Sequence, residues 1–332
     1  MFLPSVDPQP VPPWPGGERP FLEIVPGWQN FPARLRQGVV SIGNFDGVHR
    51  GHQEILGQLV QQARQRNVPS VVFTFSPHPL AILRPHAAPQ PLTSFEYRAR
   101  LLARFGIDVM VICQTVPELL ELQYNDFFDA VIRKTLCPTA MMEGPNFHFG
   151  KDRQGTPERL RELCELHGIG LQIIEPKTLD GDMISSSNIR RLLLQGQIAE
   201  ANQALGHQYE LWGTVVRGDG RGRKLGIPTA NLGQVKTLIP ADGVYAGWAR
   251  SLFGIHPAAI NIGAPVTFGQ IDRRVEVHLP GFQGDLYHSH LSVKLVQRIR
   301  DSKSFASADE LKSQMTTDIA TIIAILKQPA NS

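Results

Sequence analysis

The sequence predicts an α/β + β architecture: a doubly wound parallel sheet in the N-terminal part, then a small β-barrel with a terminal helix. Three observations lead to this fold class. The chain has 332 residues, which suggests two domains. From Gln37 to about Met183, apolar segments alternate with amphipathic ones, as in a parallel sheet with helical crossovers. From Gly213 onward, short apolar segments are separated by glycine-rich turns, which is typical of a small barrel.

In the N-terminal part, the spacing of apolar residues predicts both kinds of element. Continuous apolar runs indicate five buried strands. These are Val39–Ile42, Ser70–Phe75, Val109–Ile112, Ala140–Glu143 and Leu171–Ile174. Apolar residues three and four apart indicate four helices. These are Gln53–Asn67, Phe95–Phe105, Asn125–Lys134 and Pro157–His167. A further helix is expected from its cap at Ser187 to about Leu205, with Gly206 as its stop.

In the C-terminal part, the predicted strands are short and a helix ends the chain. The strands are expected around Val215, Ile227, Val244–Ala246, Ala258–Ile260, Val275–Leu279 and Leu291–Leu295. In the segment Val275–Leu279 the alternation places Glu276 and His278 on the face opposite the valines. Ser307 and Glu310 form a capping box for the last helix. Its buried stripe is Leu311, Met315, Ile319, Ile322, Ile323 and Leu326.

Four segments are expected along the chain. Seven of the first 20 residues are proline, so residues 1–34 are predicted to be an extended, flexible leader. The sheet domain is placed at 35–187, a linking helix at 188–206 and the barrel domain at 207–328.

Composition excludes several classes of protein. Hydrophobic residues make up 42% of the chain and charged residues 19%, as in a soluble globular enzyme. The net charge of +3 gives no argument for a nucleic-acid partner. No stretch reaches the ~18 apolar residues that a membrane span needs, and the N-terminus lacks a secretory signal. Three cysteines without metal-like spacing fit a reducing compartment. We therefore expect a cytoplasmic protein without a membrane partner, either a monomer or a weak homo-oligomer.

The segment Gly43–His52, with the sequence GNFDGVHRGH, is the most informative one. It joins a predicted strand to a helix, and His49 and His52 lie on one side of the first helical turn. Free N–H groups and the helix dipole attract phosphate there, and Gly43 and Gly51 permit close approach. Two imidazoles can then stabilise charge as a nucleotide is cleaved between its α- and β-phosphates. The alternative is a surface loop that happens to contain two histidines. The preceding strand, Gly43 and Asp46 favour the site.

Three other N-terminal segments carry candidate residues. Ser186, Ser187 and Arg190 bring hydroxyls and a guanidinium to a helix N-terminus, which favours phosphate binding beyond capping by Ser187 alone. His78 lies between prolines after a strand, where a packing or capping role is the commoner one. Asn146 lies beside Phe147 and Phe149, which form either a stacking platform or part of the core.

These segments together resemble the nucleotidyltransferase superfamily. The motifs are G-x-F-D-G-x-H-x-G-H, T-F-x-P-H-P, N-F-x-F-G and S-S-x-x-I-R. Within that superfamily they resemble the FMN adenylyltransferase half of bacterial bifunctional FAD synthetases. The resemblance implies that His49 and His52 act at the reacting phosphate.

The same resemblance implies two groups of binding residues. The implied ATP-binding residues are Gly43, Phe45, Asp46, Gly51, Asn146, Ser186, Ser187 and Arg190. His78 and Pro79 are implied on the flavin side. Two positions depart from the family: His148 stands where an arginine is usual, and Ser187 stands where a threonine is usual.

The C-terminal part contains a segment rich in glycine and cations, from Gly213 to Leu232. Its turns, with Arg223 and Lys224, can close over a polyphosphate. Thr229 and Asn231 offer two neutral oxygens at alternate positions, and two such ligands suffice for Mg²⁺. The alternative is a flexible basic hairpin with a proline at its turn.

This segment resembles the P-T-A-N signature of riboflavin kinases. Glu276 is then implied as the base for the riboflavin 5′-hydroxyl, with Thr229 and Asn231 as metal ligands. The implied ATP-binding residues are Gly218, Gly222, Arg223, Gly226, Pro228 and Thr229. The implied flavin-binding residues are Asp285, Tyr287 and Arg300. The chain departs from the family by a displaced proline at Pro265-Val266, by His288 and by Ser302.

The sequence therefore predicts a bifunctional enzyme. The barrel is expected to phosphorylate riboflavin with MgATP to FMN, and the sheet domain to adenylylate FMN with a second ATP to FAD. One alternative is an aminoacyl-tRNA synthetase-like or cytidylyl-transferring enzyme, which leaves the P-T-A-N segment unexplained. Another is a flavin- or nucleotide-binding regulator without turnover, which the intact candidate residues disfavour.

Overall fold

A computed structural model describes residues 22–179, 181–218, 220–263 and 273–327. The chain divides into two compact units. The first is composed of Met1–Asn44, Glu54–Ala87 and Phe95–Glu175. The second is composed of Phe45–Gln53, Ala88–Ser94 and Pro176–Ser332. The second unit thus takes two short pieces from the N-terminal half, including the segment with both candidate histidines.

The first unit is built on a six-stranded sheet in which every neighbouring pair is parallel. The strands are β1 Glu23–Pro26, β2 Val39–Ile42, β3 Ser70–Ser76, β4 Val109–Gln114, β5 Ala140–Glu143 and β6 Gly170–Ile173. They lie in the order β1-β4-β3-β2-β5-β6. All four residues of β2 are buried, so both faces of the sheet are covered at its centre. This confirms the predicted parallel sheet.

β1 corrects the predicted leader. Residues 1–21 lie outside the described residues, but Glu23–Pro26 pairs with β4, in register with Val109–Ile112. The Nη1 and Nη2 atoms of Arg34 donate to the Glu23 carboxylate, at 2.8 and 2.6 Å. The flexible leader predicted for 1–34 is therefore wrong over 23–34. A four-residue strand that ends in proline gives little periodicity, and the sheet tolerates proline only at an edge such as this one.

The helices of this part are close to those predicted. They are α1 Arg50–Arg66, α2 Pro79–Leu83, α3 Phe95–Arg104, α4 Pro117–Leu120, α5 Tyr124–Phe127, a π-helix Phe128–Leu136 and α6 Pro157–Leu166. Short 3₁₀ turns cover Ala33–Leu35, Pro85–Ala87 and Lys151–Arg153. The helix predicted over Asn125–Lys134 is an α-turn followed by the π-helix. A π-helix is rare and is defined by its i→i+5 hydrogen bonds, for which this segment carries no separate sequence signal.

Glu143, at the end of β5, is a buried carboxyl group in the first unit. Its Oε1 accepts the Ile42 N–H at 2.8 Å, and burial raises its pKa well above the ordinary 4.5. Above pH 4.5 the native chain keeps this proton while the unfolded chain loses it, so the folded state becomes less stable as the pH rises. Glu143→Gln keeps the acceptor without an ionisable group. We expect the free energy of unfolding of Glu143→Gln, relative to that of the original chain, to grow by about 1.4 kcal/mol per pH unit. This growth ends where the native carboxyl ionises.

Urea denaturation of the original chain and of Glu143→Gln at several pH values between 5 and 8 measures this difference. A free-energy difference that stays constant over that range would show that the native carboxyl is already ionised.

The second unit begins with a small hairpin and two helices. These are β7 Thr178–Leu179, β8 Asp182–Met183, α7 Ser186–Leu194 and α8 Ile198–Leu205. The sequence predicted one helix capped by Ser187, but the Oγ of Ser185 accepts the Asn188 N–H and is the cap. Gly196, with φ +74°, separates α7 from α8. A Cβ atom at Gly196 would lie 2.8 Å from the Arg298 side chain, which is a second reason for glycine beside the positive φ.

The rest of the second unit is a closed antiparallel barrel, which confirms the predicted all-β part. Its strands are β9 Tyr209–Val216, β10 Ala230–Gly233, β11 Gly243–Ser251, β12 Gly254–Gly263, β13 Arg274–His278 and β14 His290–Arg300. The order is β10-β13-β12-β11-β14-β9, and β9 closes it onto β10. Ile227, predicted in a strand, lies instead between a short helix, α9 Arg221–Lys224, and β10.

The terminal helix α10, Ala308–Lys327, covers one outer face of the barrel. Ile322 packs there against Val244 and Ala246 of β11. The Oγ of Ser307 accepts the Glu310 N–H at 3.2 Å, as the capping box predicts. Within the described ranges, no helix has the length and apolar character that crossing a membrane requires.

Candidate active sites

The candidate histidines lie where the chain leaves β2 and enters α1. The Nδ1 atom of His49 accepts the His52 N–H at 3.3 Å, and the His49 carbonyl accepts the Gln53 N–H at 2.9 Å. His49 is therefore the cap of α1, which begins three residues earlier than predicted. The two imidazole rings stack, with centroids 3.6 Å apart and planes 18° from parallel. Both rings thus lie at the positive end of a 17-residue helix.

Burial fixes the protonation state of His49. Its side chain is buried, and desolvation lowers its pKa to about 4, against the opposing charge of Asp46. Since Nδ1 accepts a hydrogen bond, the single ring proton lies on Nε2. At neutral pH, His49 is therefore an uncharged donor whose Nε2–H is available to an anion.

Asp46 organises the loop between β2 and α1. Its carboxylate accepts the backbone N–H groups of Leu92 and Thr93 and the Thr93 hydroxyl, at 2.9 to 3.1 Å. It also forms an ion pair with Arg190, in which both side chains are largely buried. Four donors therefore occupy this carboxylate. The structure places Asp46, predicted to bind ATP, as the group that holds Arg190 and the 92–93 backbone.

The N-terminus of α7 meets this loop within the second unit. The Ser186 hydroxyl donates to the Asp46 carbonyl at 2.8 Å, and Arg190 Nε donates to the Gln90 carbonyl at 2.8 Å. Ser187 is exposed in the first turn of α7. Two helix N-termini, those of α1 and α7, are thus joined by one hydrogen bond. Their free N–H groups form a setting that favours a polyphosphate.

The loop backbone is strained at two residues other than glycine. Phe45 and Val48 are buried with φ of +47° and +40°, a conformation that costs of order 1–3 kcal/mol each. The Phe45 ring lies 5.1 Å from the His52 ring. A Cβ atom at Gly51 would lie 3.2 Å from the His49 ring, which is closer than an ordinary contact. Glycine therefore leaves room for the ring in this position. This strain could not be predicted from the sequence, because Phe and Val rarely adopt positive φ.

The flavin-side candidates lie in the first unit. His78 caps α2, because its Nδ1 accepts the Leu80 N–H at 3.1 Å. Its Nε2 lies 2.9 Å from the side-chain amide of Asn44, which follows Gly43 at the end of β2. The adjoining Pro79 is the first residue of α2. The capping role that the sequence allowed for His78 is thus present, with an additional contact to the residue after Gly43.

Asn146 is exposed in the turn after β5, also in the first unit. Phe149 beside it is buried and stacks on Phe147 with centroids 5.5 Å apart, so the core interpretation holds for Phe149. The Nδ1 atom of His148 lies 3.1 Å from a guanidinium nitrogen of Arg153. Arg153, which was not predicted from the sequence, therefore supplies a cation beside His148. FAD synthetases usually have an arginine at the position of His148.

The second candidate site is a cavity of about 420 Å³ on the outer side of the barrel. Glu276 of β13 lies between Asn231 of β10 and Asn261 of β12 in the strand register. Directly paired residues share a face, and Val275 and Val277 point into the barrel core, so these three side chains face outward. The lining residues include Gly222, Thr229, Asn231, Asn261, Glu276, His278, Arg300, Ser302 and Asp318.

Asn231 is the best candidate for a metal ligand in this cavity. Its Oδ1 is buried and has no hydrogen-bond partner among the described residues. A Cβ atom at Gly218 would lie 2.1 Å from the Asn231 amide nitrogen, which explains the glycine. Thr229 lines the same cavity. An orphaned amide oxygen beside a hydroxyl is a donor set that Mg²⁺ accepts, so these residues fit the ion.

Comparison with known proteins identifies the family. A family model for FAD synthetase matches residues 31–188, and one for riboflavin kinase matches residues 205–326. The bifunctional riboflavin kinase/FMN adenylyltransferase of Escherichia coli K12 is 34% identical over 90% of this chain and 96% of its own. The chain belongs to this bifunctional family. It therefore acts as a riboflavin kinase and an FMN adenylyltransferase, with riboflavin, FMN and ATP as substrates, as the sequence predicted.

Two further known proteins are similar to this family member over nearly its full length. The Pseudomonas fluorescens protein of the same description is 33% identical over 93% of this chain and all of its own. A crystal structure described as a macrolide-efflux protein from Streptococcus pneumoniae has a TM-score of 0.83 and 31% identity. It covers 90% of this chain and 98% of its own. These similarities support the fold across both halves.

The predicted ATP-binding residues of the barrel differ in whether they line this cavity. Of the predicted ATP-binding residues, Gly222 and Thr229 line it. The others, Gly218, Arg223, Gly226 and Pro228, are not among the described lining residues. Asp285 and Tyr287 are exposed on the loop before β14, where the Tyr287 N–H donates to Asp285 at 2.9 Å. The flavin-binding roles of Asp285 and Tyr287 stay predictions.

Arg300 lines the cavity but is already paired. Its guanidinium binds both carboxylate oxygens of Asp318 in α10, at 2.7 to 3.1 Å. Asp318 is buried and was missed, although a charged residue in the apolar stripe of α10 is itself a signal. His278 was not assigned a role, and its Nδ1 lies 2.8 Å from the Pro228 carbonyl. The departure at Pro265-Val266 lies outside the described residues.

Proposed function

We propose that the two reactions use separate sets of residues in this chain: the histidine corner, defined as residues 45–53 with the N-terminus of α7, and the barrel cavity. The observation that carries the first assignment is the pair of helix N-termini joined by the Ser186–Asp46 hydrogen bond beside the stacked histidines. The second assignment is supported by the row Asn231–Glu276–Asn261.

At the histidine corner, a phosphate oxygen of FMN attacks the α-phosphorus of ATP and pyrophosphate leaves. Charge grows on the α-phosphate oxygens during this displacement. The Nε2–H of His49, the His52 ring and the free N–H groups at the helix ends are placed to donate to those oxygens. Because Asp46 balances the charge of Arg190, much of the attraction for the triphosphate comes from the helix ends. The contributions of His78, Pro79 and Asn146 to flavin and nucleotide binding stay predictions.

In the barrel cavity, the ribityl 5′-hydroxyl of riboflavin attacks the γ-phosphorus of ATP, giving FMN and ADP. Glu276 orients this hydroxyl and accepts its proton late in the transfer. Asn231 and Thr229 would hold Mg²⁺, which when bound offsets charge on the triphosphate. A Cβ atom at Gly220 or Gly226, in the turns before β10, would meet no atom within 4 Å. The cytoplasmic location and the monomeric or weakly associated state stay predictions.

The metal assignment is tested by the Mg²⁺ requirement of each reaction. Asn231→Ala removes the orphaned oxygen. The Mg²⁺ concentration at which FMN formation reaches half its maximal rate should therefore rise by at least about 10-fold. Asn231→Asp keeps an oxygen at the same place and is the matched control, with a smaller change expected. FAD formation from supplied FMN, measured on the same preparation, should keep its original Mg²⁺ dependence. An unchanged requirement for FMN formation in Asn231→Ala would exclude Asn231 as a ligand.

A further inference from the structure

His207 makes a contact with the histidine corner that the sequence analysis did not foresee. It follows Gly206, the left-handed cap of α8, and precedes β9. Its Nε2 lies 3.0 Å from the Gly47 carbonyl oxygen, and its Nδ1 lies 3.1 Å from the Gln208 carbonyl oxygen. His207 falls within the riboflavin kinase match and Gly47 within the FAD synthetase match. Both residues nevertheless belong to the second compact unit.

Gly47 is the residue through which such a contact can control the corner. It lies next to Asp46 and two residues before His49, with φ +83°. Its N–H donates to the Thr93 hydroxyl at 3.2 Å, while its carbonyl faces His207. Both of its backbone polar groups are therefore fixed by side chains from distant parts of the sequence. Without the His207 contact, the Gly47 carbonyl would lose this partner.

A second contact from the same segment supports the loop on the other side of His49. The Gln53 amide nitrogen donates to the Leu205 carbonyl at 2.6 Å and to the Val48 carbonyl at 2.8 Å. A Cβ atom at Gly206 would lie 2.9 Å from Gln53, so the two segments are in close contact. Residues 205–207 thus hold the histidine loop at two points, one before His49 and one after it.

We propose that His207 is a positioning residue for adenylyl transfer: its Nε2–H fixes the Gly47 carbonyl and thereby the loop that carries His49. The Gly47 and Gln208 oxygens are both carbonyl oxygens, which only accept. Desolvation lowers the pKa of His207, so the ring carries one proton, and the proposal assigns that proton to Nε2. This inference rests on the proposed assignment of FMN adenylylation to the histidine corner.

Two substitutions separate positioning from general stability. His207→Gln places an amide nitrogen close to the position of Nε2 and keeps the bond to Gly47. His207→Asn reaches only to the position of Nδ1 and loses that bond. We expect His207→Asn to lower kcat for FAD formation from FMN and ATP by about 10- to 100-fold, because small displacements of catalytic groups are that costly. His207→Gln should remain within a few fold of the original chain, and riboflavin phosphorylation should be unchanged in both variants.

The outcomes distinguish the proposal from its alternatives when His49→Asn is measured beside these variants. Equal losses in His207→Gln and His207→Asn, or an original rate in His207→Asn, overturn the positioning role. If His49→Asn forms FAD at the original rate, it is the assignment of the corner that fails. Thermal denaturation of all variants shows whether folding is affected, and a loss of kinase activity together with FAD formation would also overturn the proposal.

Discussion

Replacing His49 with asparagine is expected to stop FAD formation while FMN formation continues. The Oδ1 atom of asparagine can take the place of Nδ1 and keep the cap on α1, where the His52 N–H is bound at 3.3 Å. What the variant loses is the Nε2–H that we propose donates to the reacting phosphate. Loss of one preorganised donor to a developing charge lowers kcat by about 10²–10³-fold. Supplying FMN and MgATP and separating the flavins by chromatography measures this rate.

Two controls make the result specific. His49→Gln restores an N–H near the position of Nε2 but not the cap, so it should recover part of the rate at some cost in stability. The pH profile is a further check, because a pKa of about 4 keeps His49 in the free enzyme uncharged down to about pH 5. If His49→Asn lost both reactions to the same degree, the proposal of separate residue sets would be wrong.

The predicted elements are most accurate where the local pattern decides the structure. β2, a continuous apolar run, has the predicted bounds Val39–Ile42. β1 was missed because four residues ending at a proline form a strand only by pairing with β4. Elements that tertiary contacts define carry little local signal.

The candidate sites show the same difference between features set by local sequence and features set by tertiary contacts. The two histidines and the P-T-A-N segment could be named from short motifs, because the chemistry needs those residue types at a fixed spacing. Short motifs did not predict two ion pairs, the one between Arg190 and Asp46 and the one between Arg300 and Asp318. These pairs are formed by side chains far apart in sequence, so no local spacing reports them. They also change the interpretation, since Arg190 and Arg300, both expected to meet a ligand, already bind a carboxylate.

Replacing Glu276 with glutamine is expected to abolish riboflavin phosphorylation and to leave FMN adenylylation intact. Glutamine keeps the size of the side chain and its place in the register between Asn231 and Asn261, but it cannot accept a proton. Loss of a positioned base lowers kcat by about 10²–10⁴-fold. The KM for ATP should change little, because the carboxylate acts on the attacking hydroxyl. Rates of FMN formation from riboflavin and of FAD formation from supplied FMN test both halves of this expectation.

Glu276→Asp gives the matched comparison, because it keeps the carboxylate but withdraws it by one methylene group. If proton acceptance is the function of Glu276, the aspartate variant should exceed the glutamine variant in kcat. If the side chain only fills space at the edge of the cavity, glutamine should be the better replacement, since it matches the shape of glutamate. The order of the two variants therefore decides between catalysis and packing, independently of how large either loss is.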